Sequence, residues 1–140
     1  QARVRTSKPC WHLMSVPCIG PITALAFAAA IESPGRFRRS RDIGAYLGLT
    51  PRRYQSGERD IAGAISKQGD AMARHYLYEA ANCLLTTWGG RSPLKSWGLR
   101  LMKRIGAKKA RVAVARKLAC LLLRLWKDET HYEQARLQTA

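Results

Sequence analysis

Acidic side chains are scarce in this sequence. Nine Asp and Glu stand against 25 Lys and Arg, which leaves a formal charge of +16 on 140 residues. Two-metal phosphoryl chemistry needs carboxylates gathered in one place. The nine here are scattered from Glu32 to Glu133, and no pair reads as a metal cage. Histidine and cysteine are sparse as well. His12, His75 and His131, with the cysteines at 10, 18, 83 and 120, form no Cys-x-x-Cys pair and no zinc spacing. No metal ligand is therefore assigned. The cysteines read as reduced thiols of a cytoplasmic protein, with Cys83 and Cys120 as core residues on helices. Long apolar runs are missing too. The run 22–31 follows Arg3, Arg5 and Lys8 as a leader would. However, Pro17, Gly20 and Pro21 interrupt the approach, and the run is too short to cross a bilayer. Secretion and membrane insertion are not expected. The sequence also lacks internal repeats and low-complexity segments.

What is present is enough chain for one domain with a real core. Its positive charge far exceeds what solubility requires and calls for a polyanionic partner. Nucleic acid is the first candidate and an anionic membrane surface the second.

The spacing of apolar residues predicts a mostly α, compact helical domain over 15–127, an N-terminal segment at 1–14 and a polar tail at 128–140. Residues 3–14 read as a short helix broken at Pro9. Pro21 suits the first turn of a helix that runs to about Glu32. Ser33-Pro34-Gly35 ends it, and Arg36, Arg38, Arg39 and Arg41 follow as a phosphate patch or a solvated helix start. Ser40 is placed to cap a helix from Arg41 to about Leu47, with Ile43, Tyr46 and Leu47 inward. Asp70 is placed to cap a helix from Ala71 to about Trp88. Ser92-Pro93 opens another to about Ile105, with Leu94, Trp97, Leu101 and Ile105 as its core stripe. After Gly106 a basic amphipathic helix runs from about Ala107 to Lys127. His75 has no carboxylate partner in sequence and reads as a surface or half-buried helix residue.

Between these helices lies Gly48–Gly69, with four glycines, a proline and no sustained helix or strand period. It reads as a long functional loop, with a short hairpin as one option. Arg52, Arg53, Arg59 and Lys67 surround Ser56 and Ser66, which makes a phosphate site of cations, hydroxyls and backbone N–H groups.

The run Gly48-Leu49-Thr50-Pro51-Arg52-Arg53-Tyr54, then Ser56-Gly57, then Ile65-Ser66-Lys67-Gln68-Gly69, resembles the C-terminal domain of an insertion-sequence transposase family. This is the IS-one-hundred-ten, or IS116/IS902-like, family of RNA-guided recombinases, and the resemblance extends from about Ser15 to about Trp126. It implies a bacterial, nucleoid-associated DNA transposase in which Ser56 attacks a DNA strand and forms a covalent phosphoserine intermediate. Arg52, Arg53, Arg59, Ser66 and Lys67 would then contact DNA or RNA. The family's acidic metal ligands lie in an upstream RuvC-like domain, so Mg2+ is expected through that domain and this piece is expected to be inactive without it. A guide RNA and a dimer or tetramer are further implications.

Ser15-Val16-Pro17-Cys18-Ile19-Gly20-Pro21 resembles a helix-hairpin-helix, a DNA-binding unit without sequence specificity. Gly20 joins the nucleic-acid-binding candidates on this account, and Arg38 and Arg39 join them from the arginine run. Cys18 stands where the usual Pro-Gly-Ile-Gly hairpin has its first glycine, and a Cβ there disfavours positive φ. A tight turn between packed helices is the alternative. Two rival functions stay open: a non-catalytic nucleic-acid-binding module or truncated transposase relic, and a helical repair or replication protein using the hairpin alone.

Overall fold

The longest helix of this protein is also its centre. A computed structural model describes residues 8–56 and 59–132, with the backbone alone for residue 8 and for 51–64. In chain order the elements are α1 (Lys8–Met14), α2 (Pro21–Ile31), α3 (Ile43–Tyr46), β1 (Pro51–Ser56), β2 (Arg59–Ile65), α4 (Ala71–Thr86), α5 (Pro93–Ile105) and α6 (Ala107–Asp128). Single 3-10 turns occupy Pro34–Arg36 and Ser40–Asp42. Helix α6 packs most extensively on α4 and α5, and also touches α3 and α1. Its buried face alternates small and branched residues. Ala110, Ala113, Ala115 and Ala119 let neighbouring backbones approach, while Leu118, Leu122 and Leu123 fill the space between them. Each fully buried leucine contributes about 1.5–3 kcal/mol relative to exposure.

The helix ends follow local chemistry. The Asp70 side chain accepts from the Ala73 N–H at 2.8 Å, and Ser92 Oγ accepts from the Lys95 N–H at 3.0 Å. Each satisfies a backbone donor at the start of its helix that would otherwise lack a partner. Pro21 and Pro93 sit in first turns, and Gly106, at φ +93°, separates α5 from α6. The first and last parts of the described chain meet: Ser15 Oγ accepts from the Tyr132 N–H at 2.8 Å. Among the described residues no helix is long and apolar enough to cross a membrane.

Several expectations are corrected. Pro9 lies in the first turn of α1, where its missing N–H would have had no partner, and the rest of the helix expected from residue 3 lies outside the described residues. The helix expected over 41–47 is a 3-10 turn followed by four α-helical residues, and no side chain caps either. Ile43 and Leu47 are buried, but Tyr46 is 37% exposed. Its ring packs edge-on to Phe37, and its hydroxyl donates to the Ala30 carbonyl at 3.3 Å. Ile105 leaves the apolar stripe and is exposed, because the chain reverses at Gly106 immediately after it. Cys83 and Cys120 are half-buried, and the buried thiol is Cys10.

The Gly48–Gly69 stretch contains the hairpin that was one option for it, and the two strands are antiparallel. Ser56 pairs with Arg59, Gln55 with Asp60, Tyr54 with Ile61 and Arg53 with Ala62, and an irregularity follows before Pro51 meets Ile65. Pro51 opens the strand, a position that tolerates a residue without an N–H. The strands make their close contacts almost wholly with each other. The strand residues carry no sustained apolar alternation, so periodicity alone does not separate a hairpin from a loop.

Candidate nucleic-acid interface

The hairpin is held at its foot. Ser66 N–H donates to the Thr50 carbonyl at 2.9 Å and Lys67 N–H to the Gly48 carbonyl at 3.1 Å. Gly48 has φ +73°, and a Cβ on it would stand 2.2 Å from the Gln68 carbonyl oxygen. Gly69 has φ +87°, and a Cβ on it would stand 2.3 Å from the Tyr46 carbonyl oxygen. Two glycines thus permit a backbone-to-backbone clasp that no other residue type allows. Arg74 ties it from below. Its Nη1 donates to the carbonyls of Leu47 and Gln68, both at 3.0 Å, one from each side of the clasp. Sequence reading missed Arg74; its place one turn after the Asp70 cap was the available signal.

The candidate residues divide along the hairpin. Ser66 and Lys67 are at the foot, where Lys67 takes a left-handed φ of +56° and Ser66 Oγ accepts from the Gln68 N–H at 3.4 Å. Ser56 is the last residue of β1, and its cross-strand partner is Arg59. Five residue steps at roughly 3.4 Å each put it about 17 Å along the strand from Pro51. Paired positions on an antiparallel ladder share a face, so Arg59 is the cation most directly tied to Ser56 by backbone geometry. Arg52 and Arg53 lie between foot and tip. The Ser56 and Ser66 positions are therefore at opposite ends of one hairpin, not in a single cluster.

The arginine run after α2 also divides. Arg36 belongs to the helical body: its Nη1 donates to the Ile31 carbonyl and the Tyr46 hydroxyl, both at 3.2 Å, and lies 3.8 Å from Glu32. Arg39 stands 3.8 Å from Asp42. Arg38 is exposed and, among the described residues, carries no such contact.

The turn between α1 and α2 buries Val16 and Ile19 and leaves Gly20 exposed at the start of α2, with nothing within 4 Å of where a Cβ would be. Cys18 takes φ +70° despite its Cβ. A non-glycine residue in this region costs about 1–2 kcal/mol. Cys18 is partly buried and packs against the core. Burial, the Cys83 hydrogen bond and the Cys83 charge push the Cys18 thiol up to about 12, against a smaller opposing pull from Lys95. Burial also raises the Cys120 thiol, against the nearby charges of Lys117 and Arg116.

Among the described residues no three His, Cys, Asp or Glu side chains come together as a metal site. Asp70 caps α4, while Asp42 and Glu32 face arginines. The described side chains therefore offer a divalent cation no ready cage.

The family model described as "Transposase IS116/IS110/IS902 family" matches residues 10–96, from α1 through the hairpin and α4 into α5. The chain belongs to this family. Its similarity to curated relatives reaches further, into α6. It is 33% identical over 133 residues to the transposase for insertion sequence element IS1111A of Coxiella burnetii, covering 94% of this chain and 36% of that one. It is 36% identical over 133 residues to a probable family 20 transposase of Pseudomonas aeruginosa, covering 94% and 39%. Over 109 residues it is 33% identical to the transposase for insertion sequence element IS1328 of Yersinia enterocolitica, covering 77% and 33%. The chain therefore spans little more than a third of the length of these relatives. For a family member, the clasp supplies a physical reason for the glycines that bracket the motif.

Proposed function

We propose that this chain is the part of an insertion-element transposase that binds element DNA and supplies Ser56 as the nucleophile. The observation that carries the reading is the placement of Ser56 at the end of a glycine-clasped hairpin, directly paired with Arg59. In the proposed step Ser56 Oγ attacks a DNA phosphorus. A phosphoserine P–O bond forms, the bond to one deoxyribose oxygen breaks, and that oxygen leaves as a hydroxyl after gaining a proton. Reversal by the hydroxyl of another strand releases the serine and joins the new ends. One ester replaces another at each step, so no outside energy source is needed. A serine hydroxyl is a weak nucleophile until a base or metal assists it. We place that assistance, with Mg2+ and its carboxylates, in an upstream domain. Arg59, with Arg52 and Arg53, would stabilise charge building on the non-bridging oxygens. Ser66 and Lys67 keep the foot ordered or hold a neighbouring phosphate. Gly20 would contact the flanking backbone from the α1–α2 corner, and Arg38 and Arg39 from the segment that follows α2. A guide RNA, a dimer or tetramer and association with the nucleoid belong to the same proposal.

A second reading, a nucleic-acid-binding module or transposase relic without catalysis, is favoured by Cys18 standing where the hairpin would have its first glycine, at φ +70°. The deciding experiment incubates the protein of full relative length, carrying this chain, with Mg2+, element-end DNA and co-purifying RNA, followed by a denaturing gel. A covalent protein–DNA adduct that disappears in Ser56→Ala is expected. An adduct that survives Ser56→Ala removes Ser56 from the mechanism. Salt-sensitive binding without any adduct supports the second reading.

A further inference from the structure

A pocket of about 670 Å³ lies between the Ser40–Asp42 turn, the start of α5 and the outward face of α6. That volume is within the range of small-molecule and nucleotide sites. Leu94, Trp97 and Leu121 give it an apolar wall, and Arg41, Arg116 and Arg124 reach it from two different elements. Among the described residues none of these three arginines makes a hydrogen bond or ion pair. The nearby acid Asp42 faces Arg39. Lys117 Nζ stands 5.0 Å from the centre of the Trp97 ring. An indole beside several cations without partners, open to solvent, suits a flat ring attached to phosphates. The pocket also borders the hairpin. The Arg116 stem packs against Gly44, where a Cβ would meet it at 2.9 Å, and the same Cβ would stand 3.5 Å from the Thr50 side chain. Thr50 immediately precedes β1.

We propose that this pocket holds one unpaired nucleotide of a nucleic-acid strand, its base against Leu94, Trp97 and Leu121 and its flanking phosphates on Arg41, Arg116 and Arg124. The inference rests on reading the chain as acting on nucleic acid, and it is independent of whether Ser56 is the nucleophile. An unpaired base held beside the hairpin foot would mark where a duplex has been opened and fix the register of the strand running toward the tip. Base-on-aromatic stacking is sequence-tolerant, so the pocket would read strandedness and not sequence.

The test uses the full 140-residue chain and a short single-stranded oligonucleotide carrying 5-iodouracil. The nucleotide is photo-crosslinked and the modified residue mapped by mass spectrometry, with a fully paired duplex of the same sequence alongside. The expected crosslink is to Trp97 or Tyr132, from the single strand and not the duplex. Trp97→Leu should weaken single-strand binding roughly five- to hundredfold, the loss typical of a stacked base. Trp97→Phe should restore much of it, and duplex binding should change little. Crosslinks confined to the hairpin or the α1–α2 corner, with binding still salt-sensitive, overturn the pocket while leaving the nucleic-acid reading intact. A free mononucleotide that competes as well as the strand shows a small-molecule site instead. Failure to bind any nucleic acid at low salt overturns both readings. Because the crosslink is mapped on the unaltered chain, a misfolded Trp97→Leu does not obscure the result.

Discussion

In the helical body each long element turns an apolar face toward α6 or a neighbour of α6, whereas β1 and β2 make their close contacts almost wholly with each other. The body is stabilised by burial, which is roughly proportional to area and indifferent to direction. The hairpin is stabilised by a ladder and by a backbone clasp at one end, both of which are directional. A lone two-stranded hairpin is marginal in water, so the clasp with Gly48, Gly69 and Arg74 is what makes this one part of the fold. The division teaches that fold stability and the proposed chemistry are assigned to different parts of the chain and should respond to different substitutions.

The largest effect that would sharpen this contrast is in the core. Phe27→Ala or Leu122→Ala, both at fully buried positions, should lower stability by about 2–5 kcal/mol in urea melts. Replacing residues 52–64 with a short glycine link should move the same midpoint by much less. An equal loss in both would erase the distinction. Next comes the clasp. Gly69→Ala should cost about 2 kcal/mol or more, since it combines a left-handed φ with a Cβ 2.3 Å from a carbonyl oxygen. It should also abolish any Ser56-dependent adduct. Gly20→Ala, where nothing lies within 4 Å, should stay within about 0.5 kcal/mol and affect only DNA affinity. Removing the caps by Asp70→Ala or Ser92→Ala should cost about 1 kcal/mol each, measurable as a shift in midpoint without a change in slope. The smallest effect concerns Cys18. Its folded thiol keeps a proton up to about pH 12, while the unfolded thiol loses it near its ordinary value of 9.0. The folded state therefore binds more protons between those values. The contribution is present below pH 9 and fades as pH rises toward 12. Iodoacetamide at pH 8.5 should modify Cys18 more slowly in the folded than in the unfolded chain; equal rates would show that burial does not protect the thiol.

The body was legible in the sequence, while the hairpin was legible only as one option and its clasp not at all, for a shared physical reason. Asp70, Ser92, Pro21, Pro93 and Gly106 act through neighbours one to four residues away, so their roles are written locally. The burial of Ile43, Leu47 and Leu101 follows from helical spacing. The clasp depends on a meeting between Gly48 and Gln68 and between Gly69 and Tyr46, more than twenty residues apart in the second pair, and single-sequence periodicity carries no such information. The glycines themselves stood out, but what they touch did not. Likewise the run Arg36, Arg38, Arg39 and Arg41 reads as one patch in sequence. In space Arg36 supports Tyr46 and Ile31, while Arg41 turns to a pocket shared with α5 and α6.

The contact between Ser15 and Tyr132 brings the first and last described parts of the chain to within a hydrogen bond of each other. A fold entered and left at one edge is topologically a ring with a cut in it, and the cut can be moved. Joining residue 132 to residue 8 through a short linker and opening the chain at Gly89–Gly90, where Gly89 has nothing packed on it, would give a permuted protein with the same core. In that protein α5 and α6 would be made first, and the hairpin would lie in the last third of the new chain, between the same two anchoring glycines.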